Sequence, residues 1–403
     1  MFATLSSDVK QYLIITGNYW AFTLTDGALR MLVVLYFHQL GYNAFEVASL
    51  FLFYEFFGVV TNLLGGWLGA KLGLNKTMNL GLFLQIVALS MLMVDDANMV
   101  VWYVMLAQAL SGIAKDLNKM SAKSAIKLLV PKDQDSALYR WVAVLTGSKN
   151  ALKGVGFFLG GVLLTVYGFQ SAMLIMASVL VVVWLLSLFL LKQDLGKSSF
   201  KPKFKDLFSK SANINYLSAA RLCLFASRDV WFVVALPVFL SQQFNWDHWQ
   251  VGGFLASWVI FYGFVQGYSP KLTKLKENTT REQQAIKVAV MLSVLPVAIA
   301  ISVMSFDNVL WPLLIGLILY AGVFAVNSSL HSFLIVHYAD ADGVSLDVGF
   351  YYMANASGRL AGTLLSGWMY LQYGIVSCLI VSSLLIFAAL VFTQKLHITQ
   401  NVK

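Results

Sequence analysis

The chain has 403 residues, 59% of them hydrophobic and only 12% charged, with a formal net charge of +9 and a mean hydropathy of +0.73. Soluble domains carry about 25% charged residues, so the composition excludes a soluble globular protein and leaves room for about a dozen spans of ~20 residues with short loops. The two cysteines, Cys223 and Cys378, lie inside apolar segments without metal-type spacing, which argues against a disulfide framework.

Hydropathy predicts helices at 11–38, 45–70, 77–94, 99–128, 138–165, 170–192, 213–241, 249–270, 286–304, 309–336, 347–372 and 374–394. The first is too long for a signal-peptide core and no small-residue cleavage site follows it, so it is expected to stay in the mature protein. Alternate loops differ sharply in charge. One set holds Lys10, Lys71, Lys76, Lys132, the run from Lys192 to Lys210, the run from Lys271 to Arg281, Lys395 and Lys403. The opposite set (38–45, 95–98, 166–170, 241–248, 305–308 and 372–374) contains no Lys or Arg. Cytoplasmic loops are the Lys/Arg-rich ones, so both termini are expected to be cytoplasmic. That asymmetry explains much of the basic balance without nucleic acid.

The one long polar connection, 193–212, divides the chain into an N-terminal bundle (1–192) and a C-terminal bundle (213–403). The halves echo each other at an offset of about 197–206: Asn18-Tyr19 recurs as Asn215-Tyr216, Val33-Val34 as Val233-Val234, and Asn43–Val47 as Asp247–Val251. Lys153, Gly156 and Gly161 likewise correspond to Arg359, Gly362 and Gly367. Parallel repeats of this kind are a transporter device, with substrate held near the midplane at the repeat interface.

Lys115, Lys119, Lys123 and Lys127 recur every four residues and so form one slowly turning stripe. A line of cations against lipid is prohibitive, so the stripe should meet water, protein or an anion. The third, sixth, ninth and twelfth predicted helices have no ionisable residue in their cores. The others carry Asp26 and Arg30, Glu55, Lys115, Asp116 and Lys119, Lys149 and Lys153, Arg221, Arg228 and Asp229, His331, and Arg359. Lys115, Lys149, Lys153, Arg228 and Arg359 fall near helix midpoints, where each costs about 2.5–3.5 kcal/mol to insert. The nearby acids are fewer than the bases, which points to a multiply anionic substrate. Arg suits bidentate contact with phosphate or carboxylate, and Lys acts as a point charge.

The candidate substrate-binding residues are therefore Arg30, Lys115, Lys119, Lys149, Lys153, Arg228 and Arg359, with Asn118, Asn150 and Asn355 as hydrogen-bonding partners. Asp26, Glu55, Asp116 and Asp229 are candidates for proton coupling or gating. Other roles stay open. Asp26 and Arg30, four apart, can form an intrahelical pair, and the midplane bases can serve as gating salt bridges. Lys123 and Lys127 fit interfacial anchors. Arg221 shares a face with Arg228 at a shallower depth. Asp229 directly follows Arg228 and is expected to find its partner on another helix. His331, His337, Asp340 and Asp342 lack tight ligand spacing and suggest solvated loop rather than a metal site, and Trp20, Trp141, Trp231 and Trp258 suggest packing. No nucleophile–base pair or cofactor motif is visible, so neither an enzyme nor a cofactor is expected.

The segment Gly66-Trp-Leu-Gly-Ala70-Lys71-Leu-Gly73-Leu-Asn-Lys76 resembles the loop between the second and third helices of the major facilitator superfamily, with Ala70 where that family has an acid. Gly147, Gly156, Gly160 and Gly161 resemble the glycine motif of its antiporter branch without the proline; close helix packing explains them equally well. The resemblance implies an all-α integral membrane protein: twelve transmembrane helices in two pseudo-symmetric six-helix bundles, with the outer helices matching the charge-free set above. Stretches 18–41, 111–127, 141–161 and 228–239 resemble more specifically the organoarsenical efflux permeases of the ArsJ family. That likeness implies export of 1-arseno-3-phosphoglycerate across the cell inner membrane, a functional link to glyceraldehyde-3-phosphate dehydrogenase, and a monomer. A general organophosphate/phosphate exchanger is the alternative that residue chemistry leaves open.

Overall fold

The computed structural model describes residues 7–42, 50–95, 98–130, 134–191, 195–197, 211–246, 248–274, 279–306 and 308–396. Every regular element among them is helical. Water-free surroundings force this outcome, because a helix satisfies its own backbone N–H and C=O groups. The helices are α1 (Ser7–Gln39), α2 (Leu52–Leu72), α3 (Leu74–Met91), α4 (Val101–Leu129), α5 (Asp135–Tyr167), α6 (Phe169–Leu190), α7 (Ala212–Phe232), α8 (Ala235–Phe244), α9 (His248–Leu272), α10 (Arg281–Ser305), α11 (Leu310–Tyr338) and α12 (Val344–Gln394). Among the described residues, eight segments are long and apolar enough to cross a membrane. Most of the 193–212 connection and the charged loop segments 43–47, 131–133 and 275–278 lie outside the described residues.

One departure from the sequence expectation has a local cause. The seventh predicted helix breaks into α7 and α8, although Ala212–Phe244 together form one apolar membrane-length segment. Pro237 has no N–H and crowds the carbonyl four residues back, at Val233. The N–H of Ala235, at the break, donates to Ser366 Oγ at 3.0 Å. The last two predicted helices are both present: α12 is two helical stretches that meet at a kink, non-helical Gly374 at φ 74°, ψ −174°, where the sequence reading ends one helix at 372 and starts the next at 374. Glycine is the residue that takes a left-handed φ without steric cost.

The chain packs as two compact units. The first draws on Met1–Trp141, Ser148–Ser209 and Ala339–Met353; the second on Val142–Gly147, Lys210–Tyr338 and Ala354–Lys403. The first is centred on an apolar cluster including Phe22, Leu29, Leu32, Leu82, Met173 and Leu180. Glycines bring its helices to backbone contact. A Cβ on Gly156 would lie 2.7 Å from Leu24 O, and one on Gly160 would lie 2.5 Å from Ala28 O. Two of the antiporter-like glycines, Gly156 and Gly160, thus seat α5 against α1, whereas Gly147 meets Gly263 and Gly267 of α9. In the same unit Ser345 Oγ donates to Gly66 O at 2.7 Å, and Gly349 faces Asn62 O and Gly66 Cα. The superfamily-like loop glycines therefore receive the first turns of α12.

The second unit has an aromatic centre: Trp231, Trp258, Tyr262, Tyr320 and Phe324 are all buried. Trp258 and Tyr262 stack at 5.8 Å, and Tyr320 meets Trp231 edge-on at 5.1 Å. Gly358 and Gly362 bring α12 against Leu222 O and Ala226 O of α7. The large exposed apolar side chains include Leu186 and Phe189 on α6, Met291 and Met304 on α10, and Leu384 and Phe387 on α12 after Gly374. These belong to charge-free predicted helices and present the surface that lipid requires.

Candidate functional site

In the first unit the charged residues of α1, α2, α4 and α5 gather around one aromatic ring. Tyr54 is 2% exposed, and its hydroxyl donates to Asp26 Oδ1 at 2.7 Å. Lys115 Nζ lies 3.8 Å from the centre of the same ring, and the Arg30 guanidinium lies 4.8 Å from it. The electron-rich face offsets part of the cost of burying these cations. Lys153 Nζ approaches Asp26 Oδ2 at 4.0 Å, while Arg30 Nη2 pairs with Glu55 Oε1 at 3.1 Å. The intrahelical Asp26–Arg30 option is thus not taken: each reaches across to another helix.

Asp116 is shared by two lysines. Lys119 Nζ lies 2.5 Å from Oδ1, and Lys115 Nζ lies 3.7 Å from Oδ2. Gly58 makes the room: a Cβ there would come within 2.9 Å of Asp116 Oδ2. The lysine stripe continues inward rather than toward solvent. Lys119 sits over the Tyr352 ring at 4.9 Å, and buried Lys123 donates to the Tyr352 hydroxyl. Lys123 is therefore engaged with protein, not an exposed anchor, which corrects the sequence reading. Lys149 Nζ donates to Asn150 Oδ1 at 3.3 Å. Asn118 is not brought to the lysines: it donates to Ala114 O in its own helix at 2.9 Å and fills space over Gly81.

The second unit repeats the pattern with arginines. Arg228 approaches Asp229 Oδ1 with Nη2 at 2.5 Å and Nε at 2.6 Å. Arg359 Nε donates to Asp229 Oδ2 at 3.2 Å. The expectation that Asp229 finds its partner only on another helix is half right. Neighbours on a helix point about 100° apart, but the long guanidinium arm curls back to the carboxylate while Arg359 approaches from α12. Asp229 is 0% exposed. Arg228 is bounded by Phe225 at 4.9 Å and Phe232 at 5.7 Å. Asn355 does not join this group; its Oδ1 accepts from Arg221 Nε at 2.9 Å. Arg221, placed at a shallower depth by the sequence and left out of the candidate set, proves to be a buried hub. A signal was present in the seven-residue spacing from Arg228, which returns to nearly the same helix face.

His331 and His337 lie within α11. Asp340 Oδ1 accepts from the Asp342 N–H at 3.2 Å, and Asp347 Oδ2 accepts from the Asp340 N–H at 3.1 Å, as in an ordinary polar turn. Trp231 and Trp258 are core residues, and Trp20 Nε1 donates to Ser148 Oγ at 2.8 Å.

The family model described as "Major Facilitator Superfamily" matches residues 15–282, more than half of the chain. The chain belongs to that superfamily. It is a multi-pass membrane transporter, not an enzyme. Solved structures agree on the fold. The human organic anion transporter MFSD10 is 16% identical with a TM-score of 0.75, covering 97% of this chain and 100% of that one. A bacterial homologue of the iron transporter ferroportin, outward-facing, is 13% identical with a TM-score of 0.75, covering 97% and 99%. The fucose:proton symporter FucP of E. coli is 11% identical with a TM-score of 0.73, covering 96% and 99%. No curated protein sequence matches the chain.

Proposed function

We propose that this transporter exports a small, multiply anionic ester from the cytosol by alternating access, and that the ester is 1-arseno-3-phosphoglycerate. One observation carries the anionic part: in each unit two bases converge on one buried acid, Lys115 and Lys119 on Asp116, and Arg228 and Arg359 on Asp229. A buried base is costly unless compensated, and a surplus of bases over carboxylates is compensated when an anion arrives. The internal carboxylates hold the bases in place meanwhile, and Asp26, Glu55, Asp116 and Asp229 serve as the proton-coupling or gating residues as the bases turn to substrate. The arsenic part rests on the resemblance to the organoarsenical permeases over 18–41, 111–127, 141–161 and 228–239.

The topology proposed with it has twelve crossings, both termini cytoplasmic, in the inner membrane. A continuous 51-residue helix would be about 76 Å long, far beyond the ~30 Å hydrocarbon core, so α12 is counted as two crossings about Gly374 and α7–α8 as one. The functional halves are then 1–192 and 213–403, joined by 193–212, in a monomer whose work depends on glyceraldehyde-3-phosphate dehydrogenase to make the ester.

Inside-out vesicles given arsenate, glyceraldehyde 3-phosphate, NAD and the dehydrogenase test the substrate. Arsenic accumulation only with the complete mixture supports the proposal. Exchange of phosphate or phosphoglycerate without arsenic accumulation would replace it with an organophosphate/phosphate exchanger.

A further inference from the structure

Three donors in the second unit converge on a single hydroxyl. Ser328 Oγ on α11 is approached by Arg221 Nη1 at 3.0 Å, by the Tyr262 hydroxyl at 3.0 Å and by Gln266 Nε2 at 3.3 Å. A serine oxygen has two acceptor lone pairs, so the group has more donors than this acceptor can serve. Arg221 is 3% exposed and also donates to Asn355 Oδ1 at 2.9 Å and Ser328 O at 3.2 Å. Its guanidinium lies 4.1 Å from the Phe225 ring centre. One turn beyond Ser328, buried His331 Nδ1 and Ser332 Oγ find no hydrogen-bond partner among the described residues. A guanidinium, a phenol and an amide N–H aimed at one small acceptor is the donor set of an oxyanion receptor.

We infer that Arg221, Tyr262 and Gln266 form a second anion-binding position, with Ser328 Oγ as the internal acceptor that an anion would displace. The inference rests on the anion-transport reading and deepens it by naming the substrate class. Arg221 precedes Arg228 by seven residues, about 10 Å along α7. Asn355 and Arg359 lie one turn apart on α12 and serve Arg221 and Asp229 respectively. The second unit thus offers two anion positions along one pair of helices: one in which ligand competes with Asp229, and one in which it competes with neutral acceptors, Ser328 Oγ and Asn355 Oδ1 among them. A substrate with an anionic group at each end of a short carbon chain fits both; a singly anionic ester fits one.

Purified full-length protein in nanodiscs, titrated with 3-phosphoglycerate (two anionic ends) and glycerol 3-phosphate (one), provides the test. Wild type binds 3-phosphoglycerate more tightly. Arg221→Gln removes that preference, weakening 3-phosphoglycerate by about tenfold to a hundredfold and leaving glycerol 3-phosphate unchanged. Ser328→Ala, a small change that folds more readily, tightens 3-phosphoglycerate severalfold, because the internal competitor is gone. Equal weakening of both anions in Arg221→Gln, or weaker 3-phosphoglycerate binding in Ser328→Ala, would overturn the inference, since a merely structural network predicts both. Equal wild-type affinity for the two anions overturns the inference and leaves anion transport standing. Binding of neither anion by folded wild type overturns both.

Discussion

Arg359 holds Asp229 across the α7–α12 contact just as Lys153 approaches Asp26 across the α1–α5 contact. The distances are 3.2 Å from Nε to Oδ2 and 4.0 Å from Nζ to Oδ2. Asp229 follows Asp26 by 203 residues and Arg359 follows Lys153 by 206. The glycines beside the bases are also equivalent: Gly156 lies against Leu24 O and Gly362 against Ala226 O. Each unit therefore uses the same device, a glycine that lets two helices touch and a base one turn away that reaches the acid. Phe225, Phe232 and Arg228 make the second version tighter and more enclosed.

Asp229→Asn should destabilise the protein by about 1 to 3 kcal/mol, because it removes the buried carboxylate that partly exposed Arg228 and Arg359 share. Adding Arg359→Gln should recover part of that loss, since one stranded charge is removed. Thermal unfolding of the single and double variants in detergent checks this. Additive losses would show that Asp229 and Arg359 do not depend on each other.

Gly156→Ala and Gly362→Ala should each cost about 1 to 3 kcal/mol, as a new methyl must push apart backbones in contact. Gly17→Ala and Gly367→Ala should be tolerated, because nothing lies within 4 Å of a Cβ built at either position. Melting temperatures of the four variants separate the two classes.

Much of this arrangement was legible in the sequence. The apolar periodicity marked out the helices, but the charge-free set did not single out the exposed apolar faces, which α2, α5 and α11 present as well. The echo between Lys153, Gly156 and Arg359, Gly362 marked the repeat that the structure resolves into equivalent ion pairs. Pairing was harder to read. Helical geometry alone allowed Asp26–Arg30 and argued against Arg228–Asp229, yet long side chains and neighbouring helices reversed both outcomes. The Tyr54 ring beneath Lys115 and the Tyr352 hydroxyl on Lys123 depend on which helices touch, and no periodicity carries that information. The matching Asp26 and Asp229 were visible at the repeat offset but stood out only once their bases were seen beside them.

Tyr54→Phe should keep the aromatic face under Lys115 and Arg30 while losing the hydroxyl bond to Asp26. Tyr54→Leu loses both. Anion binding should fall modestly in the first and by about tenfold more in the second, in line with a desolvated cation–π contact of ~1–2 kcal/mol. Titration with 3-phosphoglycerate ranks the two. Equal losses would assign the role to the hydroxyl alone.

Lys115→Ala and Arg359→Ala should each reduce anion transport by about a hundredfold, the scale for truncating a base that is paired with a buried carboxylate. Membrane expression should be unchanged. Quantitative expression in isolated membranes, alongside transport, keeps a folding defect from being mistaken for loss of function.

Counterflow in proteoliposomes tests the account most directly. Vesicles loaded with unlabelled 3-phosphoglycerate, carrying wild type or either variant at matched density, are diluted into labelled 3-phosphoglycerate. The account predicts rapid entry of label with wild type and nearly none with Lys115→Ala or Arg359→Ala. Wild-type counterflow in both variants, or no counterflow by demonstrably folded wild type, would contradict the claim that these basic clusters carry an anion across the membrane.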